Sequence, residues 1–405
     1  MSKKFKVLLS AYACEPNKGS EPGVGWNWLI EIAKLNHKVT VITRSNNRKS
    51  IINAVNYKKE YFRNINFIFC DLPNIFLLLK KKSNLVQPYY FIWQIKAFLV
   101  ARGLCKQERF DFVHHITFVS IRSFSLMWLL GIPYIFGPIA GGEKPPLLLS
   151  LKTGFFGFIK DALREFFIIF SYIDPLFKLN LQNSHTIIVA TKDTLKLIPR
   201  KFLPKTKCIT QIGINPNNTE QKYSFKRHKK LLFVGRFIYS KGMKIGFEAF
   251  KKALKKDKNL SLTMVGEGPE LKYWQKHAEN LGIHSKIKWK GWVKHYDLEE
   301  IYNNYGVLLF PSLHDSAGQV ILEAMSYGLP VCCLNIGGPG NIVNNINGIS
   351  VEVKNMPYES ILNSLADSIN KITKSKKDWL EFSNNAYKSA CGSTWEDIVK
   401  STNIY

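Results

Sequence analysis

The feature that most narrows the fold of this chain is an alternation that occurs twice. Short apolar runs are separated by longer stretches with helical periodicity. In the first half the runs are Phe5–Tyr12, Lys38–Thr43, Asn66–Cys70, Phe112–Ile116, Tyr134–Phe136 and Thr186–Ala190. In the second half they are Lys230–Gly235, Leu260–Val265, Ile287–Trp289, Val307–Phe310, Val331–Leu334 and Ile349–Val353. Strand-then-helix alternation predicts parallel sheets covered by helices on both faces. A chain of 405 residues also exceeds one ordinary core. The fold class expected is therefore α/β, with two doubly wound Rossmann-like domains facing across a cleft. Between the two sets lies the polar, aperiodic segment Gly213–Lys230. The expected layout is a first domain over 1–212, a linker over 213–229, a second domain over 230–385, and a helical segment over 386–405 that carries Trp395.

Composition removes several alternatives. The seven cysteines are scattered and form no CxxC pair, which argues against a disulfide framework or a zinc site and for a reducing compartment. The apolar run near the start is too short for a secretory leader and reads as the first strand. No stretch of about 20 uncharged apolar residues occurs, so no transmembrane helix is expected. The net charge of +27 favours polyanionic partners: nucleic acid, anionic lipid or phosphorylated small molecules. The lysines are spread along the chain and no nucleic-acid-binding signature appears, so nucleic acid is not expected as a partner. No G-x-G-x-x-G with a downstream acid opens either domain, which sets a Rossmann dehydrogenase aside. Phe155–Phe170 places Lys160, Asp161, Arg164 and Glu165 on one helical face, with a Phe/Ile/Leu stripe around the rest. That pattern fits a helix at an anionic membrane interface or a helix packed on the core.

The second half carries the densest chemistry. In LLFVGRFIYSKGM (231–243) an apolar run ends at Gly235, and Arg236 and Lys241 follow before Gly242 opens a helix. A guanidinium can fork onto two phosphate oxygens and an ammonium adds a compact charge. A solvated basic turn is the plain alternative. In MVGEGPE (264–270) Gly266 marks another strand-end turn where backbone can approach a ligand. In GVLLFPSLHDSAGQVILEAMSYG (306–328) Asp315 and Glu323 are separated by seven residues. Ser316, Ala317 and Gly318 form a small-residue loop on which a phosphate could rest, and Gln319 and Glu323 lie in the helix that follows. Carboxylates accept hydrogen bonds only, which suits Glu323 to a ribose diol and Asp315 to sugar hydroxyls. Acids stabilising a helix N-terminus are the alternative.

GRFIYSKG, VGEGP, DSAGQVILEAMSYGLP and GGPGNIVNNINGISV stand in one order over nearly all of 230–353. Together they resemble the donor domain of the retaining family 4 glycosyltransferases of GT-B fold. Two positions depart from that pattern: Asp315 stands where the family has Glu, and Asn341 where many relatives have Glu. In the first half, SAYACEPNKGSEPGVGWNW (10–28) brings Gly19, Gly23 and Gly25 beside the expected cleft. DFVHHITFVSIR (111–122) delivers His114 and His115 to opposite strand faces. His115, nearer the strand end, is the candidate for sugar contact or acid/base work; a buried, satisfied histidine is the alternative. FGPIAGGE (136–143) lacks the histidine many family members carry near Gly137–Pro138. These motifs look like one branch of the family often found in surface-polysaccharide synthesis.

The resemblance implies sugar transfer from a nucleotide-diphosphate donor to a glycan or polyprenyl-linked acceptor, with retention at the anomeric carbon. It also implies that the segment around Trp395 crosses back to the first domain. The expected catalytic set is His115, Asp315, Arg236 and Lys241. The expected donor set is Gly23, Gly25, Gly235, Arg236, Lys241, Gly266, Asp315, Ser316, Ala317, Gly318, Gln319 and Glu323. No cofactor and no metal are expected, since no DxD or carboxylate cluster appears. The expected location is cytoplasmic, peripheral at the inner membrane face. Another activity of the same fold on nucleotide-sugars, an epimerase or phosphorylase, stays open.

Overall fold

A computed structural model describes residues 4–57, 59–73, 75–76, 86–171, 173–215 and 227–405. Most of the expected 213–229 linker lies outside these residues. The first sheet has seven strands: β1 (Lys6–Ser10), β2 (Lys38–Thr43), β3 (Ile65–Phe69), β4 (Phe112–His115), β5 (Tyr134–Ile139), β6 (Thr186–Val189) and β7 (Thr206–Cys208). The second has six: β8 (Lys230–Val234), β9 (Ser261–Val265), β10 (Ile287–Gly291), β11 (Val307–Phe310), β12 (Val331–Leu334) and β13 (Gly348–Val351). Their orders are β3-β2-β1-β4-β5-β6-β7 and β10-β9-β8-β11-β12-β13, and every pairing is parallel. Both orders reverse direction once, between β1 and β4 and between β8 and β11. Open parallel sheets bind ligands beyond the strand ends at such a switch point.

The strands lack polar alternation because helices cover both sheet faces. Val7, Leu8 and Leu9 are fully buried, as are Leu231, Leu232 and Phe233. Buried tryptophans still satisfy their N–H groups. Trp28 donates to Gln211 O at 3.1 Å, Trp93 to Cys70 O at 2.8 Å and Trp379 to Gly306 O at 2.9 Å. All seven cysteines are unpaired. No helix among the described residues is long and apolar enough to cross a membrane.

The two layers meet through a short crossing. Ile214 bridges Thr394 in parallel, and its amide donates to Ser393 O at 3.0 Å. A Cβ on Gly213 would stand 2.5 Å from the Trp395 amide nitrogen, so glycine is required for that approach. The helix Trp395–Ser401 then packs into the cluster of Val24, Trp28 and Leu29 on the first sheet's side. Tyr405 reaches the His114 ring. Part of the expected linker belongs to the second domain. Arg227 is buried, its guanidinium donating to Tyr302 O, Asn303 O and Tyr327 O and lying over the Trp379 ring.

Candidate active site

The strand-end loops of β8 and β11 are clamped together. Ser240 O accepts from Leu313 N at 2.8 Å and from His314 N at 3.3 Å. Gly242, at φ +65°, caps the helix Met243–Lys256, and a Cβ there would lie 2.0 Å from Pro311 O. The clamp brings Lys241 Nζ to 2.6 Å from Asp315 Oδ2, with both side chains 16% exposed. The ammonium also sits 4.8 Å from the centre of the Phe310 ring. Arg236 is exposed and has no ion-pair partner among the described residues. Gly235 takes φ +154° and leaves room beside the Lys241 stem.

Asp315 does more than neutralise Lys241. Its Oδ1 accepts from Ala317 N at 3.1 Å and Gly318 N at 2.7 Å. Two of the loop amides expected for a phosphate are thus already engaged, and so are both Asp315 oxygens expected for sugar hydroxyls. Gly318, at φ +70°, caps the helix Gln319–Ser326. The amides of Gln319 and Val320 open that helix, where no earlier turn supplies a carbonyl. A phosphate seat therefore shifts one or two residues along, from Ser316–Gly318 to the start of the helix.

Glu323 ends this face. Its Oε1 accepts from Gln319 Nε2 at 3.0 Å and from His295 Nε2 at 3.1 Å, and its Oε2 from Tyr302 OH at 3.1 Å. The hydrogen bond to Glu323 raises the His295 pKa against a smaller burial effect. Burial, then the Glu323 charge, holds Tyr302 well above the ordinary phenol range. A cleft of about 1380 Å³ opens on this side and is lined by Glu15, Lys18, His295, Tyr302, Gln319 and Glu323 among others.

The first-domain glycines play a different part from the one expected. Gly23 and Gly25 lie inside the helix Ser20–Lys34, not in the loop before it, and both are buried. A Cβ at either would stand 2.1 Å from a carbonyl of the chain's own loop, Lys18 O or Ala13 O. They admit that loop, not a ligand. The helix Gln319–Ser326 instead meets Gly19 and Ser20: Ser20 N donates to Gln319 Oε1 at 2.7 Å. Gly266 is likewise filled from within, since a Cβ there would lie 1.9 Å from Gly235 O. It lets the β9 turn support the Arg236 loop from behind.

His115 does not reach the cleft. It is fully buried, with Nδ1 2.9 Å from Ser10 Oγ and Nε2 2.8 Å from Tyr90 OH. Gln94 donates to the same Tyr90 oxygen at 2.7 Å, so Tyr90 donates to Nε2 and the neutral ring keeps its proton on Nδ1. Burial and the neighbouring His114 lower its pKa to about 3. His114, on the other face, donates from Nε2 to Gly137 O at 2.7 Å and bonds Tyr405 OH through Nδ1. Both imidazoles are core residues.

A junction absent from the expected set joins the domains beside Asp315. Asp161, on the helix Phe155–Ser171, is 3% exposed. Its Oδ1 accepts from His314 Nε2 at 2.7 Å and Tyr239 OH at 2.9 Å. Burial, the largest single influence, pushes the carboxyl up, but the His314 bond, the His314 charge and the hydroxyl bonds together outweigh it, and the pKa falls below the ordinary range. Asp193 Oδ2 accepts from Gly337 N at 3.1 Å. Sequence spacing marks Asp161 only as polar on a greasy helix, and its partners lie 78 and 153 positions away. Among the described residues no group of three or more His, Cys, Asp or Glu converges on a common point.

The glycosyl transferases group 1 family matches residues 215–389. An uncharacterized glycosyltransferase of Methanocaldococcus jannaschii is 32% identical over 212 residues, which cover 48% of this chain and 52% of that protein. The match thus spans about half of that relative's length. Sucrose-phosphate synthase of Thermosynechococcus elongatus superposes with a TM-score of 0.64 at 16% identity, covering 99% of this chain and 98% of that one. The HepE protein of Anabaena, crystallised with UDP and glucose, gives a TM-score of 0.59 at 15% identity and covers 98% of both chains. The fold is GT-B, and residues 215–389 of the second domain match the glycosyl transferases group 1 family.

Proposed function

We propose that the protein is a retaining glycosyltransferase that moves a sugar from a nucleoside-diphosphate donor to a glycan or polyprenyl-linked acceptor, in surface-polysaccharide synthesis. The observation that carries this reading is one ligand-sized face on the second domain. At one end stand Arg236, without an ion-pair partner among the described residues, and Lys241, held 2.6 Å from Asp315. At the other stands Glu323, with two acceptor oxygens and exchangeable neighbours. The start of the helix Gln319–Ser326 lies between them. The diphosphate binds Arg236, Lys241 and the first helix amides, and the ribose diol binds Glu323.

As the anomeric bond breaks, charge collects on the leaving diphosphate. Arg236 and Lys241 gain most at that moment, which is how fixed cations lower a barrier. Asp315 serves by aiming Lys241 and closing its own loop. No protein nucleophile is assigned, and retention follows from same-face attack. Transfer proceeds without a metal, because the two cations take that electrostatic role. The test is sugar transfer by Arg236→Ala and Lys241→Ala proteins, with and without EDTA. Each variant is expected to lose about a hundredfold in kcat, and EDTA to change nothing. Full activity in both variants would refute the clamp, and abolition by EDTA would refute the metal-free reading.

The same reading places the enzyme at a membrane. Phe155, Phe156, Phe166, Phe167, Phe170 and Ile173 are all at least half exposed, and the exposed Lys152, Lys160 and Lys178 flank them. Apolar rings beside lysines match an anionic bilayer interface. Flotation should recover the protein with anionic but not neutral vesicles, and Phe156→Ser/Phe167→Ser should abolish recovery. Equal recovery with both vesicle types would count against it.

A further inference from the structure

A route can be followed from the donor loop to the exposed face of the helix Phe155–Ser171. It begins at Glu143. This carboxylate is 1% exposed and presses on the donor side, since a Cβ on Gly337 would stand 2.7 Å from Glu143 Cγ and 2.6 Å from Asp315 O. Its Oε1 accepts from Thr191 OH at 3.3 Å, while its buried Oε2 has no partner. The loops after β4 and β5 run together here: Ser120 bridges Ala140, and Ile121 N donates to Ala140 O at 3.1 Å. They deliver Arg122 to the same edge.

Arg164 comes from the helix. It lies three positions after Asp161, whose bonds to His314 and Tyr239 fix that face of the helix against the donor loop. The Arg164 Nε is buried and has no partner. Neither Arg122 nor Arg164 makes an ion pair within 4 Å among the described residues. The neighbouring Glu165 is turned to Lys144 at 3.8 Å. Burial, then the Arg164 charge, pushes Arg122 below the ordinary arginine range, and Glu143 opposes the shift only in part. Arg122 is exposed and Arg164 half-buried, so an anion at this edge would meet both charges and the one buried unused donor, Arg164 Nε.

We infer that Arg122 and Arg164 form a second anion site, for a phosphate ester carried by the acceptor. It rests on the glycosyltransferase reading above. Planar, partner-free guanidiniums suit a tetrahedral oxyanion. The site lies between Glu143, whose free Oε2 can accept from an acceptor hydroxyl near the donor sugar, and the exposed phenylalanines, which suit a lipid tail. Sugar hydroxyl, phosphate and hydrocarbon thus meet carboxylate, guanidinium pair and apolar face in that order. The acceptor class this fits is a lipid-linked sugar phosphate or diphosphate.

The experiment compares binding of a polyprenyl phosphate and the polyprenol of equal length, both in neutral detergent micelles, by intrinsic tryptophan fluorescence. The wild-type protein is expected to prefer the phosphate at least tenfold. Arg122→Gln/Arg164→Gln should lose that preference, and Arg122→Lys/Arg164→Lys should retain part of it. UDP affinity should stay within about twofold in all three, which also shows that the variants are folded. Equal binding of both lipids by wild type, or an undiminished preference in the glutamine variant, overturns the site. If the glutamine variant loses anionic-vesicle binding but keeps its preference for the polyprenyl phosphate, the anion is a bilayer headgroup and the acceptor assignment falls. Absence of UDP binding by wild type would defeat the donor reading while leaving a phosphate preference intact.

Discussion

Replacing His115 by Gln separates a core histidine from a catalytic one. The folded protein holds His114 near pKa 4 and His115 near pKa 3, against 6.5 for an unperturbed imidazole. A depressed folded pKa means that protons bind the unfolded chain more tightly. The stability contribution is therefore complete above pH 6.5 and declines as pH falls towards the folded values. Each histidine removes about 1.4 kcal/mol per pH unit in that window. Because each unfolded imidazole is only half protonated at pH 6.5, the pair should cost about 3 kcal/mol between pH 6.5 and 5.0, and the figure holds for any folded pKa well below 5. In His115→Gln about half of that acid sensitivity should vanish, roughly 1.5 kcal/mol over the window. At pH 7.5 the variant should itself be less stable by about 1–2 kcal/mol, since Gln cannot match both the Ser10 and Tyr90 bonds. Urea unfolding at pH 7.5, 6.5, 5.8 and 5.0, followed by tryptophan fluorescence, measures both. Sugar transfer by the folded variant should stay within about threefold of wild type, far from the 10²–10⁴ that loss of an acid/base group costs. A loss of that size with the acid slope unchanged would refute the structural role and restore a catalytic one.

Other outcomes follow from single contacts. Lys241→Met leaves the half-buried Asp315 carboxylate without its cation and should lower stability by about 1–3 kcal/mol. Lys241→Met/Asp315→Asn should lose less than the two single changes added, and strict additivity in denaturant melts would contradict the pairing. Gly213→Ala would force a Cβ to 2.5 Å from Trp395 N, at a cost of about 1–3 kcal/mol; faster proteolysis near residue 214 is expected, and an unchanged digestion rate would argue against the crossing. The raised pKa of His295 gives stability that is full below pH 6.5 and fades as pH rises through its folded value. His295 is 59% exposed, so solvent limits the effect to under about 1 kcal/mol. A His295→Gln melting curve parallel to wild type from pH 6 to 9 would deny the Glu323 pairing.

Most of the architecture is legible in the sequence, because a strand covered on both faces must be apolar along its length. Twelve runs locate twelve of the thirteen strands, with no end differing by more than three residues. The exception is β7, Thr206–Cys208. It lies at the sheet edge with half-buried or exposed residues, so nothing in TKC needs to be greasy. Despite three glycines and a proline, Gly337–Ile342 closes a short helix. Pro339 falls in its first turn, where a missing N–H costs nothing.

The site divides on the same physical line. Arg236, Lys241, Asp315 and Glu323 are legible because each follows a strand that the sequence marks, and neighbouring parallel strands end at one edge. Their partnerships are not legible. That Asp315 is spent on Lys241 and its own loop depends on the clamp between Ser240 and Leu313. That Gly23, Gly25 and Gly266 admit backbone of this chain depends on which loop fills each position.

By itself the sequence determined the two parallel sheets, the polar break between them and the charged residues offered at their strand ends, since these follow from local patterns of burial and charge. Only the tertiary structure decided that His115 faces the core, that Asp161 holds a greasy helix to the loops of Tyr239 and His314, and that Glu143 comes up against Gly337. The physical reason is one of range: burial along a strand repeats every residue or two, whereas a hydrogen bond between side chains more than a hundred positions apart exists only once the domains have met.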